Sequence, residues 1–107
     1  MRSKTFASAV AMLFVVAGVT PANAEIVITQ KAKKFDKKRI EIKKGDSVKF
    51  INADSIAHNI HSRSRGNKFD LGVSKPGTSV SKVFDKNGKF KVRCAIHPKM
   101  KLTVKVN

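Results

Sequence analysis

The amino-acid sequence predicts an all-β domain of many short strands, arranged as an antiparallel sandwich or barrel. Apolar and polar residues alternate with a period of two from Glu25 onward, and no stretch there has a convincing helical period. Turn-forming Gly, Pro and Asn residues separate the alternating segments. Residues 25–107 therefore form one domain, and their 83 residues suffice for a modest core.

The first 24 residues have the pattern of a cleavable export signal. Arg2 and Lys4 give a positive start, residues 6–19 are apolar, and the small residues 22–24 form a cleavage pattern. The apolar run is shorter than the ~20 residues that span a bilayer, which favours removal over anchoring. We therefore predict that residues 1–24 are removed and that the remaining domain is periplasmic and not inserted in the membrane.

Three alternating segments open the domain, and each places two apolar residues on one face: Ile26 and Ile28, Ile40 and Ile42, Val48 and Phe50. Residues 43–46 ("KKGD") predict a turn between the second and third segments. The polar stretch 61–72 predicts a surface loop of undefined structure. Residues 75–77 ("KPG") predict a turn, and residues 85–90 predict a hairpin or loop.

Two alternating segments close the chain. In the first, Phe90, Val92 and Cys94 share the inward face, so Cys94 is expected at the rim of the core. The second has an apolar inner side and a basic outer side: Leu102, Val104 and Val106 alternate with Lys101, Thr103 and Lys105.

The link between these two segments is rich in metal-binding side chains. Cys94, His97 and Met100 surround one short loop, which Pro98 stiffens. Cys94 is the single cysteine, so it cannot form an internal disulfide, and an exposed thiol is a liability in an oxidising compartment. A small exported domain commonly gains stability from disulfides or a metal, and a metal is the natural candidate here. Cys94 is therefore expected either to be buried and inert or to coordinate a metal.

A fourth ligand must come from elsewhere in the chain, and two histidines are available. His58 shares strand parity with Ile56 and Ile60, whereas His61 falls on the opposite face of a continuous strand. We therefore predict that His58 is a ligand and that His61 is not.

Two imidazoles and a thiolate, with a weak axial thioether, form the ligand set of blue-copper electron-transfer sites. Such a set leaves no open coordination position for a substrate, so we do not expect the metal site to be catalytic. The competing hypothesis is a structural zinc site of His58, His61, Cys94 and His97, which would leave Met100 without a role.

Two segments, "GDSVKFINADSIAHNIHS" at 45–62 and "GKFKVRCAIHPKMKLTVKV" at 88–106, resemble the plastocyanin-like cupredoxins. The spacing Cys-x-x-His-x-x-Met is similar to that of the amicyanins. The resemblance covers most of residues 25–107. It implies a Greek-key β-sandwich with one type 1 copper ion at one end.

The resemblance also implies the role of individual residues. His58, Cys94, His97 and Met100 would bind the copper ion. Asn59 would tie the two ligand loops together without coordinating the metal. Electrons would enter and leave through the exposed edge of His97.

The charge indicates the kind of partner. The chain has 23 Lys and Arg against 7 Asp and Glu, a net charge of +16, and loss of Arg2 and Lys4 with the export signal leaves +14. The electric field of this charge attracts acidic partners and speeds their association. We therefore predict a monomeric one-electron carrier that contacts an acidic redox protein, such as a cytochrome or dehydrogenase, around His97. Nucleic acid is not expected, because export removes the chain from it and Phe is the only aromatic available for stacking.

Two other functions stay open from the sequence. One is a copper-binding or delivery module that never cycles its metal. The other is a basic domain that binds a polyanion, such as an anionic membrane surface or a cell-wall polymer.

Overall fold

The computed structural model describes residues 23–107, so residues 1–22 of the predicted export signal lie outside the described part. The described residues form nine strands: β1 (Glu25–Lys31), β2 (Lys34–Phe35), β3 (Arg39–Ile42), β4 (Ser47–Asn52), β5 (His58–Ser62), β6 (Phe69–Ser74), β7 (Ser79–Val83), β8 (Gly88–Arg93) and β9 (Lys101–Val106). Within this range no helix has the length and apolar character needed to cross a membrane. The predicted all-β class is confirmed.

The strands build two facing sheets. The first sheet has the order β2-β1-β4-β7 and the second the order β3-β9-β8-β5-β6. The pairs β1/β4 and β3/β9 are parallel, and the other pairs are antiparallel. The sheets are therefore mixed rather than antiparallel throughout, because the chain crosses to the other sheet between the parallel partners and returns in the same direction.

The alternation in the sequence corresponds to burial in the structure. Of the apolar residues predicted to face inward, Ile26 alone is only partly buried, and the rest lie in the core. The buried apolar residues of the opening and closing strands are Ile28, Ile40, Ile42, Val48, Phe50, Phe90, Val92, Leu102, Val104 and Val106. Cys94, one residue beyond β8, is 1% exposed, as its parity predicts.

The predicted turn at residues 43–46 is confirmed. Gly45 has a φ of 95° there, a conformation that favours glycine. The Asp46 carboxylate accepts hydrogen bonds from the backbone N–H groups of Lys43 and Ala24, both at 2.9 Å. The turn at residues 75–77 is also present.

One stretch differs from its predicted structure. Residues 61–72 are not one loop, because β5 and β6 occupy their two ends and only residues 63–68 connect the strands. Most residues of this stretch are polar, and Ser62 is polar although it is only 2% exposed, so the alternation that marks a strand is weak.

Of the two alternatives for residues 85–90, the loop is present. Residues 85–87 connect β7 in the first sheet to β8 in the second, so they do not form a hairpin.

Candidate metal centre

Three predicted ligands converge at one end of the sandwich. One donor atom from each of His58, Cys94 and His97 lies within 4.8 Å of the others. The two histidine Nδ1 atoms are 3.1 Å apart, and the Cys94 Sγ lies 4.0 Å from the His58 Nδ1. His58 and Cys94 are buried, whereas His97 is only half-buried. The cluster thus has a closed interior and one edge that reaches the surface.

The strand ends explain this convergence. His58 is the first residue of β5, and Cys94 directly follows β8, which pairs with β5. The loop after Cys94 turns back on itself, and the Met100 N–H donates to the His97 carbonyl at 2.9 Å. Met100 is 1% exposed and lies directly before β9.

Two backbone N–H groups point at the sulfur of Cys94. The N–H of Asn59 lies 3.2 Å from the Sγ, and the N–H of His97 lies 3.4 Å from it. The Asn59 Oδ1 also accepts a hydrogen bond from the Ala95 N–H at 3.1 Å. Asn59 therefore joins the two segments that carry the cluster, which is the contact that the resemblance implies. Hydrogen bonds to a thiolate stabilise its negative charge and tune a bound metal.

The far nitrogen of His58 is held by a carboxylate. The His58 Nε2 donates to the Asp54 Oδ2 at 2.9 Å, and this fixes the tautomer in which Nδ1 has a free lone pair directed at the cluster. The sequence alone does not indicate the role of Asp54. It precedes His58 by four residues in an irregular segment, and only the fold shows that their side chains meet.

Asp54 is itself held in place by the turn between β1 and β2. The Lys33 N–H donates to the Asp54 Oδ2 at 3.0 Å. This bond, followed by that from His58, lowers the pKa of Asp54 to about 2. The carboxylate is therefore ionised at neutral pH. Ala32 and Lys33 have φ values of 54° and 59°, and this left-handed backbone aims the Lys33 N–H at Asp54.

His61 lies outside the cluster. Its Nδ1 is 2.8 Å from the Asn59 Oδ1, and the metal-ligating group found in residues 23–107 does not include it. The four-residue zinc set that needs His61 is therefore not assembled.

The donor set fits copper. Two donor atoms that each lie about 2.0–2.3 Å from one transition-metal ion are at most about 4.6 Å apart. The donor atoms of His58, Cys94 and His97 lie within 4.8 Å of one another, which is close to this limit. Imidazole nitrogen suits Cu(II), and thiolate and thioether sulfur suit Cu(I), so this mixture accommodates both oxidation states.

Comparisons with known proteins agree with this chemistry. The family model of copper-binding proteins of the plastocyanin/azurin family matches residues 22–107. A purple cupredoxin from Nitrosopumilus maritimus is 26% identical with a TM-score of 0.68, and the match covers 77% of this chain and 99% of that one. The reduced state of an amicyanin variant is 26% identical with a TM-score of 0.70, over 85% of this chain and 88% of that one.

A third structure shares the fold alone. A copper-containing nitrite reductase from Thermus scotoductus is 24% identical with a TM-score of 0.72, and the match covers 83% of this chain but 23% of the reductase. The comparison with curated protein sequences gives no match. The family match spans most of the chain, and the cluster fits one type 1 copper ion. The chain therefore belongs to the plastocyanin/azurin family of copper-binding proteins, the cupredoxins.

Proposed function

We propose that this protein is a periplasmic one-electron carrier whose copper ion is bound by His58, Cys94, His97 and Met100. The observation that carries the proposal is the convergence of two imidazole nitrogens and one sulfur at a single buried point. The hydrogen bonds of Asp54 and Asn59 hold these donors in place. Little rearrangement is then needed when the copper gains or loses an electron.

The path for electrons in this proposal runs through His97. Its imidazole is the half-buried member of the cluster, and its neighbours Ile96 and Pro98 are exposed, Ile96 by 49%. An apolar rim around an imidazole edge lets a partner approach the copper without displacing a tightly held hydration shell. The set leaves no open coordination position, which supports a carrier rather than an enzyme.

Copper titration of the protein lacking residues 1–24 tests the ligand set. Adding Cu(II) is expected to produce an intense visible charge-transfer band from the Cys94 thiolate. Cys94→Ser should abolish the band, whereas His61→Ala should leave it in place because His61 lies outside the cluster. A colourless complex that requires His61 would contradict the proposed ligands.

Voltammetry tests the carrier role separately. A reversible one-electron wave, together with slow copper loss to a chelator, is the expected result for a carrier. Irreversible reduction with rapid copper loss would instead indicate a copper-delivery module.

A further inference from the structure

Basic residues are spread over the whole domain, and one group of them lies on the outer side of the second sheet. Strands β5, β8 and β9 are neighbours in the second sheet, and alternation along them directs every second side chain outward. Six basic residues follow this outward parity, and we name them the basic sheet face: Arg63, Lys89, Lys91, Arg93, Lys101 and Lys105. No Asp or Glu lies on the outward positions of these three strands.

The outward side of the first sheet has a different composition. It carries Lys31, Lys34 and Lys49 against Glu25, and its other outward residues are uncharged. Two of these lysines, Lys31 and Lys34, lie at the sheet's β1–β2 edge. The first sheet thus has no group of basic residues comparable to that on β5, β8 and β9, which is flanked by Glu41 of β3 and Asp70 of β6.

The basic sheet face places like charges directly opposite one another. Arg93 pairs with Lys101 across β8 and β9, and Lys89 pairs with Lys105. Within residues 23–107, none of these four side chains has a carboxylate within 4.0 Å. Like charges at opposed positions destabilise a sheet. Lys105 also lies opposite Glu41 of β3, whereas Arg93 and Lys101 have no acidic residue opposite them in the paired strands. The Arg93–Lys101 pair therefore does not favour folding, whereas it suits the binding of an anionic surface.

A surface cavity of about 470 Å³ is lined both by residues of the basic sheet face and by Cys94 of the metal centre. Its lining includes Arg63, Lys91, Arg93, Cys94 and Pro98. An anionic group seated there would lie beside the residue that supplies the thiolate. Binding of a polymer by charge alone does not require this position. A redox partner bound there would lie beside Pro98, the neighbour of His97, and so close to the proposed electron path.

We propose that the basic sheet face is the docking surface for an acidic redox protein, and that the cavity beside Cys94 receives one of its carboxylates. This inference rests on the proposed electron-carrier function. The exposed large apolar residues of the described chain, Val27, Val73, Val83 and Ile96, lie outside this face. The contact is therefore held by charge, which gives the rapid association and dissociation that electron exchange requires.

Charge-reversal kinetics test the docking surface. The face variant is Lys89→Glu with Lys91→Glu, and the matched control is Lys75→Glu with Lys86→Glu, two exposed lysines outside the face. The probe is cytochrome b5, a small acidic haem protein, and the measurement is its second-order rate of electron exchange with the copper form. At low salt the face variant is expected to react at least tenfold more slowly, because electrostatic steering contributes factors of about 10–10³. Equal slowing in both variants would overturn the proposal.

Stability and salt provide internal controls. Lys89→Glu replaces a like-charge pair with Lys105 by an opposite-charge pair, so the unfolding temperature of the face variant should not fall. At 0.15 M salt, where the screening length is about 8 Å, the difference between the variants should shrink. A difference that does not depend on salt would also contradict docking by charge.

Chemical-shift mapping tests the contact without electron transfer. Adding cytochrome b5 to the copper(I) protein should move amide signals of β8 and β9 and leave those of β7 unchanged. If heparin or phosphatidylglycerol vesicles move the β8 and β9 signals and the cytochrome does not, the surface binds polyanions and the proposal is wrong. Voltammetry of the face variant separates the two proposals, because a carrier keeps its reversible wave even if this docking surface is wrong.

Discussion

At the scale of a single residue, Asp54 holds the imidazole of the proposed copper ligand His58. Its carboxylate accepts the His58 Nε2–H at 2.9 Å on the side of the ring away from the cluster. An ionised partner makes the imidazole a stronger donor and stabilises the higher charge of Cu(II). We therefore expect Asp54 to lower the reduction potential of copper in the proposed site.

Replacing Asp54 separates its charge from its hydrogen bond. Asp54→Asn keeps an oxygen that accepts from His58 but removes the charge, so the reduction potential measured by voltammetry should rise. Asp54→Ala removes the acceptor as well, and Cu(II) affinity measured by competition should fall about 10–100-fold. An unchanged potential in Asp54→Asn would show that the carboxylate does not influence the metal.

The β1–β2 turn is the element that supports this residue. Its two central residues, Ala32 and Lys33, both have positive φ, as in a type I′ hairpin turn, although neither is a glycine or asparagine. A left-handed conformation costs an ordinary residue roughly 1–2 kcal/mol. The same conformation places the Lys33 backbone nitrogen 3.0 Å from the Asp54 Oδ2, to which its N–H donates.

Lys33→Gly tests this element, since glycine adopts positive φ without steric cost and retains the backbone donor. The variant should be more stable to urea unfolding, by up to about 1 kcal/mol. Its reduction potential should change little, because the bond to Asp54 persists. Lys34→Gly, within strand β2, is the matched control and should be destabilised. A destabilised Lys33→Gly would contradict the strain argument.

Acid stability is a property of the whole molecule. Three carboxyl groups at separate points of the fold have lowered pKa values because they accept hydrogen bonds, mainly from backbone N–H groups: Asp46, Asp54 and Asp70. A lowered folded-state pKa adds stability that is present above the unfolded value of 3.8. This stability is lost as pH falls through the folded values, which reach about 2 for Asp54.

The unfolding temperature should therefore decrease steeply between about pH 4 and pH 2. Calorimetry across this pH range measures the decrease. The copper-free protein is used, so that release of copper does not contribute to the change in unfolding temperature. Asp70→Asn should lower stability at pH 7 and flatten the decrease, because the variant has one fewer carboxyl group with a lowered pKa. An unfolding temperature independent of pH below 4 would contradict the contribution of these carboxylates.

The all-β class, the inward position of Cys94 and the placement of His58 rather than His61 beside it could all be predicted from the sequence. These features follow from local alternation, because successive side chains of a strand point to opposite faces whatever the strand's neighbours are. Alternation also predicts the basic outer side of β9, whereas the turn at residues 43–46 follows from its turn-forming residues.

Three features could not be predicted without the complete fold: the parallel β1/β4 and β3/β9 pairs, the bond between Asp54 and His58, and the grouping of basic residues on β5, β8 and β9. Alternation specifies which face a side chain occupies but not which strand lies beside it. Strand order brings together residues far apart in the chain, such as Arg63 and Lys91 around one cavity. Long-range pairing reflects the packing of the whole core, so no short segment of the sequence encodes it.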